Sequence, residues 1–165
     1  MNSKEFFDLL IKNDLATKDE LQGCSEKEIE QLEKHIEAKL PKGYREFLIL
    51  MGHRAGIFNR GSDFLYKDLF DLTDLTREIL QSGPFELPND AFVIFSHQGC
   101  IFAYFRLSDG SEPPIYTYRI MEPDPKRWAD SFSEYLEKSL AEEINSLNSL
   151  KSREEYIREA RSKRI

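Results

Sequence analysis

KLPKGYREFLILMGHRAG, residues 39–56, is the stretch on which the reading of the fold turns. The residue before a proline is pushed out of the α region, so a helix arriving from the N-terminal side must break near Leu40. Pro41 then suits the first position of a new helix, where its missing N–H costs nothing. Tyr44, Phe47, Leu48 and Met51 recur at helical steps and give that helix an aromatic stripe. Gly52 is expected to stop it in a left-handed conformation. The stretch reads as helix, kink, helix, with a face that needs a sheet to cover it. Its ending, GHRAG, is compatible with an anion-holding loop, but a cap with cations near the negative end of the helix dipole is the better reading.

Toward the N-terminus, CSEKEIEQLEKHIEAKL carries a capping box at Ser25 and Glu28, with Ile29, Leu32, Ile36 and Leu40 as the buried stripe. That predicts a helix over 26–39 with Glu30, Glu33, Lys34 and Glu37 pointing outward. Before it, SKEFFDLLIKN predicts a short helix capped by Ser3. Toward the C-terminus, LTDLTREIL gives one more short helix with Asp71 or Thr73 as its cap. AFVIFSHQGCIFAYFRL is a β-branched and aromatic run divided at Gln98–Gly99, which predicts two strands and a tight turn. Asp109–Gly110 signals a second hairpin, and PPIYTYRI supplies a third strand. WADSFSEYLEKSLAEEINSL closes the chain as a helix capped by Ser131 and packed through Phe132, Tyr135, Leu136 and Leu140.

The predicted fold is α+β, with N-terminal helices, a central antiparallel meander and a C-terminal helix in one domain over residues 1–150. Residues 151–165 are expected to form a charged, loosely held helical extension or tail. At 165 residues the chain is long enough for one core, and its 40% apolar and 32% charged content is that of a globular protein. No apolar run is long enough to span a bilayer, and the N-terminal residues lack the features of a signal peptide. Two cysteines, Cys24 and Cys100, make no disulfide framework, so the expected location is cytoplasmic.

The formal charge of -7 is uneven: residues 151–165 hold six Lys or Arg against three Glu, leaving 17 positive against 27 negative residues before them. An acidic body disfavours direct nucleic-acid binding and favours a basic protein partner. In the tail, Glu154–Arg158 and Glu159–Lys163 have the spacing of solvated helical ion pairs, a better reading of its basic residues than a nucleic-acid or membrane contact.

The joint, the aromatic meander and the late helix together resemble the SUKH superfamily: EKHIEAKLPKGYREFLILMGHRAG and WADSFSEYL carry the resemblance, which covers about residues 25 to 140. Its members include fungal cell-wall assembly regulators and bacterial immunity proteins. The resemblance implies a single non-catalytic SUKH-like binding domain, an immunity (antitoxin) protein that neutralises a cognate polymorphic toxin by stoichiometric association. A regulatory or scaffolding role in cell-wall assembly or signalling is the alternative. Nucleases are frequent among such toxins, and an acidic protein can occlude a basic active-site face. Asp63, Asp68, Asp71 and Asp74 cluster with Phe64 and Tyr66 in the middle segment, while Asp109 and Glu112 edge the second hairpin; these are the expected partner-binding residues.

Catalysis and metals are weighed against that. SHQGC places His97 three residues from Cys100, a spacing open to a nucleophile pair, but no third group orients the histidine, and a Cys beside Ile101 and Phe102 is more often inert. His35, His53 and His97 are scattered singly with no paired-ligand spacing, so neither a metal nor another cofactor is expected. Nucleotide-binding glycine motifs are missing from the sequence.

Overall fold

A computed structural model describes residues 1–149 and 153–162, with residues 153 and 154 described by backbone alone. Its first helix, α1 (Ser3–Lys12), is capped one residue earlier than expected, by Asn2 in a capping box with Glu5. Ser3 is instead buried and donates its hydroxyl to the Gly43 carbonyl at 3.1 Å, which ties α1 to the second half of the joint. A two-residue strand, β1 (Leu21–Gln22), leads into α2 (Glu26–His35), where the Ser25–Glu28 capping box is present as read.

The joint is tighter than its periodicity indicates. α2 ends at His35, and Glu37 takes a positive φ of 54°, turning the chain back on the helix. That reversal buries Glu33, which the helical stripe had placed outward; it is only 5% exposed. Its carboxylate accepts the Leu40 N–H at 3.1 Å and the Lys39 ammonium at 2.7 Å, with the Arg45 guanidinium 3.5 Å away. Pro41 is the N-cap of α3 (Lys42–Met51), one place earlier than expected. Gly52 is also corrected: its φ is -65°, an ordinary helical value. Glycine is required there by space, since a Cβ would lie 2.5 Å from Cys24 Sγ and 2.6 Å from the Leu48 carbonyl oxygen.

After α3, β2 (Arg54–Ala55) pairs antiparallel with β1. The main sheet has five strands in chain order: β3 (Ser62–Asp63), β4 (Ala91–His97), β5 (Ile101–Arg106), β6 (Ile115–Arg119) and β7 (Lys126–Ala129). All are antiparallel, so the α+β expectation and its central meander stand. The Gln98–Gly99 turn is as tight as its residues demand, with φ of 50° and 66°. Asp109–Gly110 does not form a second tight hairpin; a 3-10 turn (Leu107–Asp109) and a longer loop carry the chain to β6. A register shift between Val93 and Phe95 bends β4, and Ala91 through Ile94 are all buried because both faces of this strand are covered.

One cover is α4 (Leu72–Leu80), which packs on β4 with Thr73 Oγ1 accepting the Val93 N–H at 3.0 Å. Asp71 stands at its N-cap position without a capping hydrogen bond. The other is α3, whose Tyr44 ring meets Phe92 edge-on, while α5 (Phe132–Ser149), started by the Ser131 cap through the Glu134 N–H, packs on β7. Trp128, expected at the start of that helix, belongs to β7. Between sheet and helices, Tyr44 is the hub of an aromatic core, with ring centroids 5.1 Å from Phe132, 5.6 Å from Phe105 and 6.0 Å from Phe92. Such edge-to-face contacts add about 0.5–1.5 kcal/mol each beyond the area they bury.

The last helix, α6 (Arg153–Ser162), is docked: Ile157 and Ala160 are buried, Arg161 Nε lies 3.1 Å from Glu20 Oε1, and Arg60 stands over the Tyr156 ring. Of the ion pairs expected here, Glu154–Arg158 and Glu159–Lys163 each involve a side chain outside the described residues.

Candidate protein-interaction surface

The GHRAG ending of α3 is spent on structure. His53 Nε2 lies 2.9 Å from Glu28 Oε1, and the Tyr66 hydroxyl donates to the Glu28 carbonyl at 2.9 Å. The Ser25 backbone N–H and hydroxyl, with His53, hold the Glu28 carboxyl below its usual value. Nearby, burial pushes the Cys24 thiol up to about 12, so this cysteine stays protonated and unreactive. Burial also raises the Glu33 carboxyl, but Lys39, the Leu40 N–H and Arg45 outweigh it and leave the group below the ordinary range.

The residues expected to bind a partner divide by location. Phe64 and Tyr66 are buried in the core, where Tyr66 meets both His53 and Phe70 edge-on. Asp68 accepts the Phe64 and Leu65 N–H groups at 3.2 and 3.0 Å, closing the turn that leads into α4. Asp63, on the edge strand β3, and Asp71 and Asp74, at the start of α4, are exposed. Asp109 and Glu112 are exposed as well, but they belong to the β5–β6 connection, at the opposite end of the sheet from the Gln98–Gly99 turn. The fold thus brings Asp71 and Asp74 together on one helix and separates them from Asp109 and Glu112.

Along the outer face of α4, Asp71, Asp74 and Glu78 flank Leu75 and Ile79, which are 52% and 48% exposed. Arg77, the cation of this helix, is turned away and donates to the Leu87, Pro88 and Asn89 carbonyls at 2.8 to 3.0 Å. Asp71, Asp74 and Glu78 have no ion pair among the described residues. Several carboxylates elsewhere are engaged, Glu26 with Arg45, Asp90 with Arg106 and Ser108, Glu134 with Lys138, and Glu20 with Arg161, while others such as Glu30, Glu37 and Asp63 stand, like those on α4, without an ion pair among the described residues. Sequence reasoning missed Leu75 and Ile79, because Leu72, Leu75, Thr76, Ile79 and Leu80 together fit one ordinary buried stripe.

On the other face of the sheet a cleft of about 420 Å³ opens beneath α5, lined by Phe95, Thr117, Arg119, Trp128, Glu142 and Glu143. Burial raises the Glu143 carboxyl even though the Asn59 N–H favours its charged form.

The nucleophile reading of SHQGC is answered by a different pairing. His97 Nδ1 lies 2.9 Å from Ser62 Oγ across β3 and β4, while Cys100 is exposed and meets His97 through its backbone N–H. Among the described residues no group of His, Cys, Asp or Glu is placed to hold a metal ion, and no helix is long and apolar enough to cross a membrane.

The model of the SMI1 / KNR4 family (SUKH-1) matches residues 23–138, well over half of the chain. The chain belongs to the SMI1 / KNR4 family (SUKH-1). A comparison with curated proteins finds no match. The SUKH-1 stretch begins just before α2, contains the joint, α4 and the whole five-stranded sheet, and stops within α5; α1 and α6 lie outside it. SUKH membership is compatible with immunity or cell-wall-regulator roles, domains of this kind are generally non-catalytic, and both roles imply protein partners.

Proposed function

We propose that this chain is a cytoplasmic, non-enzymatic immunity protein that binds a cognate toxin, a basic nuclease, and silences it by stoichiometric association. The observation that carries the reading is the outer surface of α4 and the segment before it, where Asp63, Asp71 and Asp74 are exposed with no ion pair among the described residues. Unpaired carboxylates on an acidic protein steer a positively charged partner into encounter, and they mimic the phosphates that a nuclease face holds. Phe64, Tyr66 and Asp68 support this surface from behind. Asp109 and Glu112 form a second acidic edge that a large partner reaches only by spanning the sheet. Residues 1–150 act as the binding domain, with 151–165 as its extension; within that extension α6 (Arg153–Ser162) packs beside β1 through Arg161 and Glu20.

The test is co-expression with the toxin-like product of any adjacent gene, followed by isolation at low and high salt. A one-to-one complex that weakens with salt and abolishes nuclease activity supports the proposal. Recovery of envelope-assembly or signalling proteins, with no effect on a nuclease, favours the regulatory role instead.

A further inference from the structure

Among the described residues, the large hydrophobic side chains that remain exposed are Leu75, Ile79 and Met121. Exposed apolar side chains scattered singly need no explanation, but these three lie along one end of the sheet. Leu75 and Ile79 are one turn apart on α4. At Gly99, in the β4–β5 turn, a Cβ would stand 3.5 Å from the tip of Ile79, so the helix stripe runs directly onto that turn. Cys100 follows, exposed, and its carbonyl accepts the Ile120 N–H at 3.0 Å, which extends the β5–β6 pairing by one residue. Met121 is the next residue, 83% exposed and held at a φ of 70°. Helix, first turn and second turn are therefore neighbours at this end of the sheet, with Ile79 beside Gly99 and the backbone of Cys100 bonded to that of Ile120.

The rim of this end of the sheet is acidic. Asp71, Asp74 and Glu78 flank its helical part with no ion pair among the described residues, and Arg77 is committed to the 87–89 carbonyls. Arg119, two residues before Met121, lines the cleft beneath α5, and Lys126 is paired with Glu122. We propose that Leu75, Ile79, Cys100 and Met121 form the apolar centre of a docking surface for a positively charged protein, with Asp71, Asp74 and Glu78 as its charged rim. This rests on the binding reading above and places that binding at the α4 end of the sheet. Charge selects the occupant. A second copy of the chain related by two-fold symmetry would bring the same carboxylates face to face, and an anionic bilayer would be repelled by them. A basic partner neutralises the rim while an apolar anchor fills the centre, the arrangement in which a few desolvated side chains carry most of the affinity.

The probe is the purified product of any toxin-like gene found adjacent to the one that encodes this chain. In the complex, modification of wild-type Cys100 by a maleimide is expected to slow at least about tenfold; Cys24, buried with a raised thiol pKa, stays silent and serves as the internal control. L75S/I79S is expected to bind about tenfold more weakly with its thermal midpoint unchanged, while D71N/D74N/E78Q loses the salt dependence of binding. A complex in which Cys100 reacts at its free rate and L75S/I79S binds like the wild type overturns this inference and leaves the immunity reading standing. No complex in any form overturns both. A dimer seen by sedimentation that L75S/I79S dissociates overturns the inference in favour of self-association.

Discussion

The joint between α2 and α3 and the outer face of α4 are both helix surfaces where acids stand beside apolar side chains, yet the two use their charge in opposite ways. At the joint Glu33 faces inward and Glu28, part-exposed, is engaged within the chain. Glu33 is buried against the Leu40 N–H, Lys39 and Arg45, and Glu28 holds its own cap and His53. On α4 the carboxylates face solvent with no ion pair among the described residues, the cation is diverted to backbone carbonyls, and Leu75 and Ile79 are left exposed. A charge already satisfied within the chain has little to offer a partner, whereas one left unpaired beside apolar surface has both its field and its desolvation still to give. Substitutions at the joint should therefore change folding, and substitutions on α4 should change binding.

The largest effect is expected at Gly23, at the entry to α2. A Cβ there would fall 1.6 Å from the Ile49 carbonyl oxygen, a backbone atom that cannot rotate away. Gly23→Ala should cost about 3 kcal/mol or more of stability, read by urea denaturation, and wild-type stability in that variant would remove the account of the joint as a close-packed unit.

Glu33→Gln should follow at about 2 kcal/mol, the scale of lost charge-assisted hydrogen bonds. The sign with pH is fixed by the lowered pKa of the folded carboxyl. Its stabilisation is fully present above the unfolded carboxyl value near about 4.3 and is lost as the pH falls through the lower folded value. The variant should thus lose most stability at neutral pH and converge with the wild type in acid; equal losses at pH 3 and pH 7 would contradict a charged Glu33.

On the other side of the comparison, Asp71→Lys/Asp74→Lys should cost no more than about 1–2 kcal/mol of stability, the scale of two reversed charges at the positive end of the α4 dipole. Affinity for a basic partner should fall at least about tenfold, roughly 1.4 kcal/mol, in a binding titration. A fold that collapses on this change would erase the distinction between the two surfaces. The smallest effect is expected from Arg161→Ala, which removes a partly exposed ion pair to Glu20 worth about 0.2–1 kcal/mol. It should speed amide exchange in α6 while leaving the sheet unchanged.

Local signals in the sequence were legible where one residue type satisfies one backbone need. The Ser25–Glu28 box, the Ser131 cap and the Gln98–Gly99 turn are all present. The readings that changed depend on where the chain returns in space. Helical periodicity sends Glu33 outward; the reversal at Glu37, which carries a positive φ, sends it inward. Gly52 looks like a left-handed stop until the neighbouring Cys24 and Leu48 show that space is its reason. KRWA has no alternating pattern to mark β7, and pairing with β6 is what makes it a strand. Of the candidate surface, the acids Asp71 and Asp74 were visible in the sequence as exposed charge. Leu75, Ile79 and Met121 were not, because an apolar side chain with nothing covering it has the same one-letter code as one in the core.

The most direct test of the central claim is a titration of nuclease inhibition, adding this protein to the purified product of any adjacent toxin-like gene at two salt concentrations. The account predicts complete inhibition at one equivalent, with a dissociation constant that rises steeply with salt and rises again in Asp71→Lys/Asp74→Lys. Undiminished nuclease activity at saturating protein, or inhibition indifferent to both salt and charge reversal, would contradict it.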